Sequence, residues 1–124
     1  MKIAITILYF IFGFLFNAVE PSDDIIAGLK QGKSIEIVKY FDEKISLKIL
    51  NQEDVLSKSQ TEANLNFFLE KHPVKSFSSS HVTSASNGAQ YITGILETTN
   101  GKFKVSILLR RNLIAQFRIE NDND

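Results

Sequence analysis

Cysteine is absent from all 124 residues. No disulfide can form, and no lipid can be attached through a thiol. Histidine is nearly absent, with only His72 and His81. Two imidazoles at that spacing, without cysteine or patterned carboxylates, do not make a metal site. An excess of charge of one sign is also missing, since 14 basic residues balance 14 acidic ones. Nothing in that balance points to nucleic acid or to an anionic membrane surface. Phosphate-binding glycine patterns are lacking. Ser78-Ser79-Ser80 beside His81 has neither the elbow motif nor the oxyanion glycine of a hydrolase. No repeat and no internal linker is visible. No apolar run reaches the ~20 residues of a confident membrane span.

What is there begins with a shorter apolar run. Lys2 precedes residues 3–16, IAITILYFIFGFLF, which carry no charge. This reads as a secretory signal over residues 1–18, ending at Ala18, with an uncleaved anchor as the alternative because Phe16 is large for a cleavage site. The expected product is exported, either periplasmic or secreted, and free of the membrane once the signal is removed. Residues 19–124 are then one domain.

Helical signals fill the first half of that domain. Pro21-Ser22-Asp23-Asp24 opens a helix with Ile25, Ile26 and Leu29 on one side, and Gly32 ends it. Ser34 is placed to cap a second short helix carrying Ile37, Val38 and Phe41. Ile45 to Ile49 alternates as a strand, and Val55-Leu56 returns from a turn at residues 51–54. Ser59-Gln60-Thr61-Glu62 matches a capping box. The helix behind it buries Leu65, Phe68 and Leu69, with Phe67 beside the stripe, and stops before Pro73. Val74 to Ser84 reads as a more polar strand.

Ala89 to Glu120 is the β-rich heart of the chain. Asn100-Gly101 is a strong hairpin signal. A turn there pairs Thr98 with Phe103, Leu96 with Val105, Gly94 with Ile107 and Ile92 with Leu109, all on one face. A three-residue loop, Arg110-Arg111-Asn112, continues that face through Leu113, Ala115, Phe117 and Ile119. The helices then pack on one side of a curved antiparallel sheet, an α+β domain.

The segments Ala27-Gly28-Leu29-Lys30-Gln31-Gly32, Lys39-Tyr40-Phe41-Asp42, Tyr91-Ile92-Thr93-Gly94, Thr99-Asn100-Gly101-Lys102-Phe103-Lys104-Val105 and Arg118-Ile119-Glu120 carry a family likeness. They resemble DUF4783, a family of exported Bacteroidetes proteins in the NTF2-like superfamily. The resemblance implies a cone in which N-terminal helices cover the concave face of the sheet. Its residues belong to packing and turns, and the family brings no established activity with it.

No catalytic residue, cofactor or metal is expected. The polar positions on the inferred concave face are Thr98 and the gap at Gly94, and neither transfers a proton at neutral pH. The plainer reading of Gly94 is a bend in the sheet. His81 reads as a solvated strand residue and His72 as a helix-end residue facing the dipole. Glu53-Asp54 and Asp23-Asp24 read as a solvated turn and a helix start. The other face of the sheet holds Tyr91, Thr93, Ile95, Leu108 and Ile114, bordered by Glu97, Lys102, Lys104, Arg118 and Glu120. An apolar centre with a charged rim suggests a contact surface. The sequence therefore points to a non-enzymatic interaction module, forming a homodimer or binding an envelope protein. The alternative is a small-ligand binder or degenerate enzyme using the cone interior.

Overall fold

Helices this short do not persist in water, so their apolar stripes have to dock. In the computed structural model, which describes residues 20–122, they do so against one sheet. The expected signal segment lies outside the described residues. Helix α1 (Pro21–Gln31) starts with Pro21 in its first turn, where a missing N–H is harmless. Ser22 does not cap it; Ser22 is buried, and Glu20 stands at the N-cap without a side-chain bond. Gly32 ends the helix at φ 68. Helix α2 (Ser34–Val38) is a little over one turn. Its Ser34 is likewise no cap, but is buried and donates to Asn66 Oδ1 at 3.1 Å.

Strands β1 (Phe41–Ile49) and β2 (Gln52–Ser57) form a hairpin and lead directly into helix α3 (Lys58–Lys71). The capping box falls two residues before the expected one, because β2 runs on to Ser57. Ser57 Oγ accepts from the Gln60 amide at 3.2 Å, and Gln60 Oε1 accepts from the Ser57 amide at 3.1 Å. Thr61 is buried and donates to the Ser57 carbonyl. Strands β3 (Val74–Ser84), β4 (Gln90–Thr98), β5 (Gly101–Arg110) and β6 (Leu113–Asn121) follow.

The sheet order is β2-β1-β6-β5-β4-β3. Every pairing is antiparallel except β1 with β6, which is parallel. The expected antiparallel sheet is therefore mixed. Its first hairpin joins the last strand, a long-range pairing that no local pattern announces. Irregularities in β1, β3 and β6 bend the sheet.

Within the meander, the β4–β5 turn is Thr99-Asn100, and Thr98 pairs with Gly101. The register is two residues away from the expected one, so the faces are unchanged. Leu96 meets Phe103, Gly94 meets Val105 and Ile92 meets Ile107. The turn is held from outside. Asn100 Nδ2 donates to the Lys71 carbonyl at 2.6 Å, and the Thr99 amide donates to the Pro73 carbonyl at 3.0 Å. Only Gly101 takes a positive φ there.

The β5–β6 turn is Arg111-Asn112, with φ 54 and 66. Arg110 pairs with Leu113 and Leu109 with Ile114, after which the register shifts and Leu108 pairs with Gln116. That shift bulges β6 at Ala115. Ile114 and Phe117 consequently face the same side, and both are fully buried.

Helix α1 lies over β3 and β4, and α3 over β1 and β2. Ile25 and Leu29 from α1 share one buried cluster with Leu65, Phe68 and Leu69 from α3 and with Ile45, Leu96, Val105, Ile107 and Phe117 from the sheet. Each such side chain contributes about 1.5–3 kcal/mol on leaving water. Gly94 is not a pocket. A Cβ there would stand 2.5 Å from Phe77 Cζ and 2.6 Å from the Ser78 carbonyl, so the glycine admits the Phe77 ring beside the β3 bulge.

Candidate functional site

An acid or base working inside the cone would have to be buried there. Among the described residues the buried polar side chains are Ser22, Ser34, Thr61 and Thr98. None of them titrates near neutral pH. Thr98 Oγ1 donates to the Gly101 carbonyl and accepts from the Asn100 amide, so it serves the turn. The interior thus offers packing and no proton-transfer group.

His81 is exposed on β3 with Thr93 as its register partner. His72 caps the C-terminus of α3. Its ring stacks on Phe68 at 4.1 Å and meets Phe103 edge-on, and Nδ1 lies 2.9 Å from the Phe68 carbonyl. Asp23 and Asp24 sit in the first turn of α1, and Asp24 accepts from the Tyr40 hydroxyl. That bond raises the Tyr40 pKa above its ordinary value. Glu53 and Asp54 lie within β2, not in a turn. They point to opposite faces by strand alternation, so they are not a functional pair. No group of three or more His, Asp or Glu side chains fit for a metal occurs among the described residues.

The convex face can be read across the strands. One row runs Val55, Ser46, Gln116, Leu108, Tyr91 and Thr83. The next runs Glu53, Lys48, Arg118, Ser106, Thr93 and His81. Glu120, Lys104, Ile95 and Ser78 follow. Tyr91, Thr93, Ile95 and Leu108 are thus brought together on this face. Ile114 is not. The bulge at Ala115 turns it to the concave side, where it is 0% exposed. Leu108 keeps its expected face but is only 7% exposed, between Tyr91 and Gln116. The exposed apolar residues of this face are therefore spread out: Val55, 69% exposed, on β2, Tyr91, 44% exposed, on β4, and Leu113 at the start of β6, with Ile95 half-buried.

The charges beside it are already organised. Lys48 Nζ lies 3.0 Å from Glu120, and Arg118 lies 3.5 Å from Glu120 and 3.7 Å from Glu53. The Lys48 hydrogen bond holds the Glu120 carboxyl below its ordinary pKa. Ion pairs this exposed contribute little to stability, and they keep the face polar.

A second feature was not singled out by sequence pattern. Between the tip of the β1–β2 hairpin and α3 lies a half-open groove of about 390 Å³. Its signals were Phe67, one position off the buried stripe, and a turn whose first residue is Leu50.

The family model for DUF4783, a domain of unknown function, matches residues 22–121. A comparison with curated proteins finds no match. Among solved structures, a DUF4783 family protein from Bacteroides uniformis is 31% identical, with a TM-score of 0.77. The match covers 82% of this chain and 97% of that one. A second, from Bacteroides ovatus, is 30% identical over 82% of this chain and 94% of its own, with a TM-score of 0.75. An NTF2-like design, Rd1NTF2_04 with long sheet, is 14% identical over 80% and 95% of the two chains, with a TM-score of 0.64, and shows the fold alone.

Proposed function

The chain belongs to the DUF4783 family of NTF2-like domains, and we propose that it is an exported, non-enzymatic module that pairs with a second copy of itself through the convex face of its sheet. The observation that carries this reading is the contrast between the two faces. Among the described residues, the buried ones on the concave side include no ionisable group. The convex side presents Tyr91, Thr93 and Ile95 in line along β4, with Val55 exposed on β2 of the same face, among charges of both signs. Tyrosine is a residue type that anchors interfaces, being large and stiff with one polar end. The surrounding Lys48, Lys104 and Arg118 are offset by Glu53, Glu97 and Glu120. Such a face can meet its own copy in an isologous contact without net repulsion. The apolar N-terminal segment supports export. No described helix is long and apolar enough to cross a membrane.

Sedimentation of the purified protein tests the pairing. A dimer is expected, and Tyr91→Glu combined with Ile95→Glu should make it monomeric while circular dichroism stays unchanged. Leu108 is the wrong residue to change, because its burial would confuse unfolding with dissociation. A dimer that survives the double substitution rules out this face. A wild-type monomer rules out the second copy as partner.

A further inference from the structure

The groove between the hairpin tip and α3 has the size of a small-molecule site, since such sites start at about 300 Å³. Its floor is apolar, made by Ile49, Leu50 and Phe68. Phe67 forms one wall and is 60% exposed, an unusual state for a phenylalanine on a helix whose other large apolar residues are buried. Asn51 and Asn64 add amides to the lining, the Asn64 Nδ2 already donating one hydrogen bond to the Gln60 carbonyl at 2.8 Å. Lys71 is the single ordinarily charged side chain in the lining, and no carboxylate opposes it. Lys71 Nζ now rests over the Phe67 ring, 4.9 Å from its centroid.

One part of that apolar floor is held at a conformational cost. Leu50 occupies the first position of a two-residue hairpin turn at φ 57. A side chain there is strained, and glycine or asparagine is the usual occupant. The leucine is kept in place by its amide, which donates to the Ile119 carbonyl at 2.8 Å. The strain places an apolar side chain at the groove, where an unstrained asparagine would place a polar one.

We propose that this groove binds a small amphipathic anion, an apolar body carrying one carboxylate. The body lies on Leu50, Phe67 and Phe68. The carboxylate draws Lys71 off the Phe67 ring, exchanging a cation–π contact for a charge-assisted hydrogen bond and freeing the ring face for the ligand. The amides of Asn51 and Asn64 complete the polar side. The body is either an aryl ring or a short acyl chain, since both match the apolar lining. This site is separate from the convex face, so its test does not depend on the pairing proposed above.

The test uses the fluorescence of anilinonaphthalene sulfonate, an apolar ring system with one anionic group, titrated into the purified protein. Saturable binding is expected. Phe67→Ala and Leu50→Asn should each weaken it about tenfold, and both substitutions suit their positions, one exposed and one left-handed. Lys71→Met should weaken the sulfonate by about tenfold yet leave the uncharged probe phenylnaphthylamine unaffected. Val55→Ser, on the opposite face, should change nothing. Displacement by phenylacetate but not octanoate identifies an aryl ligand, and the reverse an acyl one. The proposal is overturned if neither displaces the probe, if the groove substitutions leave binding unchanged, or if Lys71→Met affects both probes equally.

Discussion

The two hairpins of the meander solve one problem in opposite ways. Both must deliver apolar side chains to the concave face. In β4–β5 the pairing is regular from Gln90 to Thr98, and the faces alternate without interruption. Its turn is poorly suited to stand alone, and it leans on α3 through Asn100 and on Pro73 through Thr99. In β5–β6 the turn is tight and self-contained, with two adjacent residues at positive φ, the pattern of a type I′ turn. The correction comes after the turn, as the bulge at Ala115. A pairing shift of two residues leaves every side chain on its face, whereas a single extra residue exchanges the faces. The surface available to a partner is therefore decided at Ala115, not at either turn.

That difference is broken most directly at Ile114 and Leu113. Ile114 is fully buried and Leu113 is 37% exposed. Ile114→Ala should cost about 2–5 kcal/mol in chemical denaturation. Leu113→Ala should cost within about 0.5 kcal/mol. The reverse order would mean that β6 carries no bulge.

Those two residues also mark where the sequence could be read and where it could not. Alternation placed Tyr91, Ile95 and Val105 on their correct faces, and it placed Phe117 and Ile119 correctly too. The observed two-residue turn plus one bulged residue has the same parity as the expected three-residue loop, so the faces beyond Ala115 are those expected, while each partner lies two residues further along, Ile107 meeting Phe117 and Val105 meeting Ile119. Only Leu113 and Ile114, between turn and bulge, are exchanged. Asn100-Gly101 was the stronger turn signal, yet Asn100 keeps a negative φ because its side chain is engaged by the Lys71 carbonyl. Tertiary contact outweighed local preference there. The β1–β6 pairing was illegible for another reason. It joins segments some seventy residues apart, such as Lys48 and Arg118, and parallel pairing leaves no turn to announce it. The groove escaped because its parts, Leu50 and Phe67, meet only once α3 is docked over β1.

The turns themselves give the next effects. Gly101 lies at φ 126 with no atom nearer than 3.6 Å to an added Cβ. Gly101→Ala should therefore cost about 1–2 kcal/mol from backbone strain alone, read as a lower denaturation midpoint with unchanged slope. Arg111→Asn, in the self-contained turn, should be neutral or slightly stabilising, since asparagine tolerates the left-handed region. Asn100→Ala removes the bond to the Lys71 carbonyl and should cost about 1 kcal/mol. A loss at Arg111→Asn matching that at Gly101→Ala would erase the distinction between the two turns.

The smallest effect lies on the convex face beyond the bulge, where Glu120 meets Lys48 and Arg118. The Lys48 hydrogen bond lowers the Glu120 pKa in the folded state, so the folded chain binds its proton less readily than the unfolded chain. The resulting stabilisation is complete above the unfolded carboxyl's pKa and is lost as pH falls through the lowered folded value. Glu120→Gln should accordingly lower stability slightly at neutral and alkaline pH, and the difference should vanish as pH falls through the carboxylate range, which flattens the acid limb of the stability curve. Solvent reaches this carboxylate, so the difference at neutral pH should be no more than a few tenths of a kcal/mol. It should shrink further in molar salt. Denaturation midpoints collected from neutral pH down to the carboxylate range provide the measurement. A difference that persisted undiminished into the acid range, or none at neutral pH, would mean that Glu120 does not face Lys48, and the row of charges assigned to the convex side of β6 would have to be redrawn.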